Sequence, residues 1–262
     1  MKVGLRLGSL GTGSLKKDLQ RALAIGVHGV QLRVVDTEID PRALSGSGRV
    51  ELADYVESFG FEVPALAGEL GGFADPATMD ERVSRTRAMI DLCVDLRSPH
   101  LTVEAGAIPE AGSRQYDALA EAVRVLSAYA LERDVRLALT TGTEGVERLA
   151  EFVTRVKSEG ARLNYDPANL CRHGHYPIAG VKQVGQLIAH VQARDASRGD
   201  SNAVGLECPL TKGDANFEEA LSVLRDCEYD GYLSVARERD EDLAANAVEA
   251  VTWLMRQDGV EP

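Results

Sequence analysis

Short apolar runs alternate along this chain with longer stretches in which apolar positions recur every three or four residues. The short runs lie at 3–7, 30–35, 62–67, 100–105, 135–140, 161–166, 188–194 and 231–237, and they predict strands. The stretches between them predict helices at 14–25, 49–59, 79–96, 116–131, 146–158, 178–187, 217–226 and 242–256. In 79–96, for example, Val83, Met89, Ile90, Cys93 and Val94 form a stripe that can lie on a sheet. Ser14 is placed to cap the first helix. Gly26, Gly60 and Gly160 follow three helices, where a left-handed turn can start the return to the next strand.

Strands separated by helices imply βαβ units and a parallel sheet. Eight such units favour a (β/α)8 barrel, read as one domain over 1–262, above an open doubly wound sheet. The turn GSLGTG at 8–13 lacks the GxGxxG spacing, and Asp36 is a weak partner for a ribose, so the open sheet is the poorer reading.

Composition narrows the function classes. Forty-one acidic against 29 basic side chains give a net charge of −12, which repels nucleic acid and anionic membrane. No apolar run approaches the ~18 residues of a membrane span. The opening segment offers only a short apolar patch broken by Arg6, so the expected location is cytoplasmic. Cys93, Cys171, Cys208 and Cys227 are scattered with no CxxC pair, and no zinc ribbon or redox motif is expected.

In (β/α)8 enzymes the site is built where the strands stop. The polar residues there are Arg6, Ser9, Arg33, Asp36, Glu69, Glu104, Thr140, Thr141, Asp166, Asn169, Gln192, Arg194, Asp195, Arg198, Arg237 and Glu238. Converging on one end of an apolar barrel, they imply a polar cleft.

The segments RLALTTG, RLNYDPANL, IAHVQARDASR and PLTKGDANFEEALSVLRDCEYDGYLSVARE follow one another over 135–240. In order and spacing they resemble the second half of the xylose-isomerase-like sugar isomerases and epimerases. The first half, with GLRLGSLG and GVQL, agrees more loosely. The resemblance implies a Glu, an Asp, a His and a second Glu, from four successive strands, holding one Mn, Mg, Co or Zn ion. That ion chelates a carbonyl and a neighbouring hydroxyl while a carboxylate removes the adjacent proton.

In this chain those four positions carry Thr140, Asp166, Gln192 and Ala236, with His190 two residues ahead of Gln192. One carboxylate, one amide and one hydroxyl make a poor divalent site. No residue is therefore assigned to a metal and no cofactor is expected. The alternative is a single divalent ion in a displaced site. Glu104, Asp166 and Glu238 are the catalytic candidates, and Thr140, Asn169, His175, Gln192 and Arg198 the ligand-contact candidates. By resemblance, Asn169 meets a ligand hydroxyl and Arg198 matches a substrate-binding arginine of ketose epimerases. Arg194-Asp195 stands where the family has a structural salt-bridged pair. The loop at 8–13, with Lys16 behind it, is read as a plain βα turn above a phosphate cradle.

The expected function is a sugar isomerase or epimerase acting on a carbohydrate or related polyol without the standard metal. The alternative is a catalytically inactive barrel retained for ligand or partner binding. An endonuclease-IV-like DNA repair enzyme shares this barrel, but it needs a His- and Glu-rich tri-zinc cluster and a basic groove. Five histidines and the acidic charge exclude it. The implied partners are a small sugar-like molecule and, by family habit, a second copy of the chain.

Overall fold

The computed structural model describes residues 1–238 and 242–261. In chain order its elements are β1 (Lys2–Arg6), α1 (Leu15–Ile25), β2 (Gly29–Arg33), α2 (Gly46–Glu57), β3 (Leu66–Ala67), α3 (Met79–Asp95) and β4 (His100–Val103). Then come α4 (Arg114–Leu131), β5 (Arg136–Thr140), α5 (Val146–Val156), β6 (Ala161–Tyr165), α6 (Pro167–Arg172), α7 (Val181–Val184) and β7 (Ile188–Ala193). The chain continues through β8 (Asp195–Ala196), β9 (Glu207–Cys208), α8 (Phe217–Asp226), β10 (Tyr232–Val235) and α9 (Leu243–Leu254). Eight strands close in the order β1-β10-β7-β6-β5-β4-β3-β2, every pair parallel. This is the (β/α)8 barrel that the alternation predicts. Among the described residues, no helix is long and apolar enough to cross a membrane.

The helices lie on the barrel because one face of each is apolar. In α5 the residues Leu149, Ala150, Phe152, Val153 and Val156 are buried at helical spacing, with Arg148, Glu151 and Arg155 turned outward. Three local expectations need correction. Ser14 precedes α1 without a side-chain cap; Asp18, one turn in, instead accepts from Gly8 N–H and Thr12 Oγ1–H. With a buried carboxylate already at that helix start, the loop at 8–13 is a βα turn and not an anion cradle. The left-handed residue that ends α5 is Lys157, while Gly160 serves close approach: a Cβ there would lie 2.0 Å from the Ser127 carbonyl. The helix expected over 178–187 shrinks to α7 and a 3-10 turn, because Gly180 and Gly185 flank it.

Two elements escape the periodic pattern. The six-residue α6 is too short to show a stripe, yet Asp166 caps it by accepting from Asn169 N–H (2.8 Å), and Pro167 occupies its first turn. The antiparallel pair β8–β9 lies outside the barrel. Asp195 fixes it, accepting from the N–H groups of Ala196, Gly213 and Ala215 at 2.8–3.0 Å.

Inside the barrel the middle of the lumen is polar. Ser234 Oγ and His190 Nε2 are 2.9 Å apart, His190 Nδ1 and Asn164 Oδ1 are 2.9 Å apart, and Asn164 Nδ2 donates to Thr140 Oγ1 at 3.0 Å. Because the amide oxygen only accepts, His190 carries its proton on Nδ1 and Ser234 donates to Nε2. A second chain runs from Gln192 Nε2 to Gln31 Oε1 (2.7 Å) and from Gln31 Nε2 to Thr102 Oγ1 (3.4 Å). Small neighbours make the room. Gly4 pairs in register with Ser234, and Ala138 with Thr102.

Asn164 joins two strands' worth of buried polar groups, so N164L leaves the His190 N–H without its acceptor. Urea unfolding should show a loss of about 2–4 kcal/mol; a loss below ~1 kcal/mol would count against the buried chain. His190 also predicts an acid response. Burial above all, then the positive charges of His100 and Arg6, push its pKa down to about 3. An unfolded imidazole titrates near ~6.5, so below that pH the unfolded chain takes up a proton that the folded one refuses. Stability therefore falls on acidification from ~6.5 toward the folded value. Unfolding free energies measured across that window should lose one proton's worth of slope in H190Q.

Candidate functional site

At the carboxyl ends of the strands a cleft of about 310 Å³ is lined by Glu104, Thr140, Glu144, Asn169, Arg172 and His173, among others. Glu104 directly follows β4 and Thr140 ends β5. Since Thr140 Oγ1 already accepts from Asn164, its own O–H is the group left to donate. Asn169 rises from α6, its Nδ2 donating to the Thr141 carbonyl at 2.8 Å. That contact requires Gly142: its φ is 152°, and a Cβ there would stand 1.9 Å from Asn169 Nδ2. His173 Nδ1–H donates to the Asn169 carbonyl at 2.8 Å.

A larger cavity, about 550 Å³, opens at the opposite, amino ends of the strands between Phe61, Pro64, Pro99, His100 and Tyr232. Size does not make it the site. Its walls are mainly apolar, whereas the converging charged side chains stand at the other end.

Those charges gather around two arginines. Arg6, buried at the end of β1, meets Glu69 at 2.6 Å and Glu238 at 3.5 Å. Arg194, 6% exposed, meets Asp166 at 3.1 Å, Glu207 at 3.0 Å and Glu238 at 3.8 Å. Burial works against the Arg194 cation, but Asp166, Glu207 and Glu238 outweigh it and hold the guanidinium charged. Burial raises the Asp166 carboxyl, opposed by Arg194 and by the Asn169 N–H. Desolvation would raise Glu238 too, yet Arg194, Arg6, Arg172 and Arg33 together bring it below its usual value.

Glu104 differs from these. It is exposed to the water of the cleft, with the acids Glu69, Glu238 and Asp166 acting on its carboxyl. Desolvation first, then the carboxylates of Glu69 and Glu238, raise its pKa, with Arg6 only partly offsetting them. Its pKa, like that of the buried Asp166, is displaced upward, but Glu104 stands open to the cleft.

The structure brings Glu104, Thr140 and Asn169 to one cleft and leaves Asp166 buried beside it. Glu238 is 47% exposed on the rim. Gln192 points into the lumen, where its Oε1 is buried and, among the described residues, has no hydrogen-bond partner. His175 turns aside, its Nε2–H donating to the Thr143 carbonyl at 3.2 Å. Arg198 donates to the His175 carbonyl and covers the Tyr176 ring, lining a separate cavity with Asp214 and Glu219. Arg194, just after β7, turns to Asp166 and Glu207, while Asp195, which opens β8, turns to the N–H groups of Gly213 and Ala215. Arg172, Gly142 and Glu207 escape a reading of strand ends. Arg172 sits in the short α6, and Glu207 arrives from β9 outside the barrel.

The four positions that the resemblance assigns to a divalent ion carry one carboxylate among them. Thr140 offers a hydroxyl, Gln192 an amide turned toward Gln31, Ala236 nothing, and the Asp166 oxygens face Arg194 and the Asn169 N–H. Among the described residues, no three His, Cys, Asp or Glu side chains are placed to hold a metal ion.

Comparison with known proteins places this geometry in context. The chain is 26% identical over 186 residues to an uncharacterized protein of Methanocaldococcus jannaschii, an alignment covering 64% of this chain and 62% of that relative's length. A xylose isomerase domain protein from Planctomyces limnophilus superposes with a TM-score of 0.84 at 22% identity, covering 96% of this chain and 94% of its own. A D-tagatose 3-epimerase-like protein superposes at 0.75 with 19% identity, covering 97% and 99%. The description "xylose isomerase-like TIM barrel" matches residues 19–257, and the chain belongs to that family.

Proposed function

We propose that this protein binds a carbohydrate or related polyol in the cleft at the barrel mouth and moves a proton on the carbon beside its carbonyl, with Glu104 as the acid–base group and no divalent ion. The observation that carries this reading is Glu104 itself, a carboxyl with a raised pKa standing in the same cleft as Thr140, Asn169 and Arg172. A carboxyl tuned upward takes and returns a proton more readily near neutral pH. The Thr140 hydroxyl and the Asn169 amide suit sugar hydroxyls, which both donate and accept. Negative charge that develops on an enediolate oxygen would meet Arg172. The likeness to xylose isomerase-like and epimerase-like proteins supports the ligand class.

One observation favours a second reading, a barrel that binds but does not catalyse. Asp166, the one carboxylate kept from the family's ligand set, is committed at one oxygen to Arg194 and at the other to the α6 cap.

A single experiment separates the two. A panel of aldoses and ketoses is screened by calorimetry, and any that binds is incubated with protein in D2O and followed by NMR. The proposal expects deuterium at one carbon, at a rate unchanged by EDTA. E104Q should keep affinity within ~3-fold and lose exchange by ~100-fold or more. The acid limb of the rate should have its midpoint above the ordinary Glu value of about 4.3. Binding without exchange selects the inactive reading, and absence of binding across the panel rejects the ligand class.

A further inference from the structure

Three carboxylates from three separate elements converge on one buried cation. Asp166 comes from the end of β6, Glu207 from β9 and Glu238 from the turn after β10, and all three face the guanidinium of Arg194. Each carboxylate is further steadied. Asp166 Oδ1 accepts from Asn169 N–H at 2.8 Å, Glu207 Oε2 accepts from Glu238 N–H at 3.1 Å, and Glu238 also faces Arg6. Arg194 reaches this point because it directly follows β7 and continues the inward alternation of His190 and Gln192.

We propose that Arg194 is the resident cation of this site, taking the electrostatic place of a divalent ion among Asp166, Glu207 and Glu238. An ion bound to Asp166 would lie beside a guanidinium that cannot give up its charge at working pH, and like charges in a buried setting repel strongly. The arginine thus supplies positive charge and denies the carboxylates to metal. It also cannot be removed by chelation. Its charge faces the mouth where the carbohydrate is proposed to bind, and only that last step rests on the carbohydrate reading.

The test uses the full chain and Mn²⁺ alone, read by EPR, with no sugar present. Wild type should bind no Mn²⁺ through Asp166. R194A, in which Asp166, Glu207 and Glu238 can close on the vacated space, should take up one Mn²⁺ per chain, with affinity raised by roughly 10- to 100-fold, and adding D166N should abolish that gain. R194K, which keeps the charge, should behave as wild type. Circular dichroism checks the fold, and R194Q, neutral and able to hydrogen-bond, replaces R194A if the alanine variant fails to fold. Stoichiometric Mn²⁺ in wild type that D166N removes would overturn the proposal. So would a folded neutral variant that gains no Mn²⁺. Because these arms contain no sugar, their failure is distinct from a failure to find a carbohydrate ligand.

Discussion

The arrangement of the barrel mouth depends on keeping one buried guanidinium charged. Taking a cation out of water costs several kcal/mol, roughly, unless anions replace the lost hydration. Around Arg194 that replacement comes from outside its own strand. Asp166 is delivered by the neighbouring strand, and Glu207 by a hairpin that contributes nothing to the barrel wall. The hairpin is held in turn by Asp195, whose carboxylate gathers three backbone N–H groups, one from β8 and two from the loop before α8. Two adjacent residues therefore divide the work. One anchors charge inside, and the other anchors the loop that answers it.

A consequence follows for Glu104. Arg6 is committed to Glu69 and Arg194 to its own three acids, so Arg6 offsets only part of the negative charge around Glu104. Glu104 then faces more negative charge than positive, and its proton is held more firmly than that of an ordinary glutamate. The unusual acid and the buried arginine belong to the same charge distribution.

The barrel was legible because a parallel sheet with helices outside imposes two periods that a linear sequence displays directly. The strand-end rule placed Glu104, Thr140 and Asp166 at the mouth, since a residue that stops a strand has its position fixed by the strand. His175 and Arg198 lie in loops, where spacing says little about direction, and both turned to partners away from the cleft. Gln192 was expected to touch ligand, yet its amide is taken by Gln31 across the lumen, a contact between β7 and β2 that no local pattern reveals. Glu207 was invisible for a related reason. A two-residue strand carries no periodicity, and its importance comes only from where the hairpin folds back.

The hydrogen-bonded lumen constrains how this chain can change over evolutionary time. Thr140, Asn164, His190 and Ser234 sit on four different strands, and each meets the donor or acceptor of the next. Replacing one by an apolar residue leaves its neighbour stranded, whereas replacing the set together need not. Substitutions at these positions are therefore epistatic. A lineage seeking a greasier or a more open barrel would have to cross a valley of destabilised intermediates, and the route would be shortest for changes that begin at Ser234 or Thr140, the two ends of the chain, where a single partner is lost.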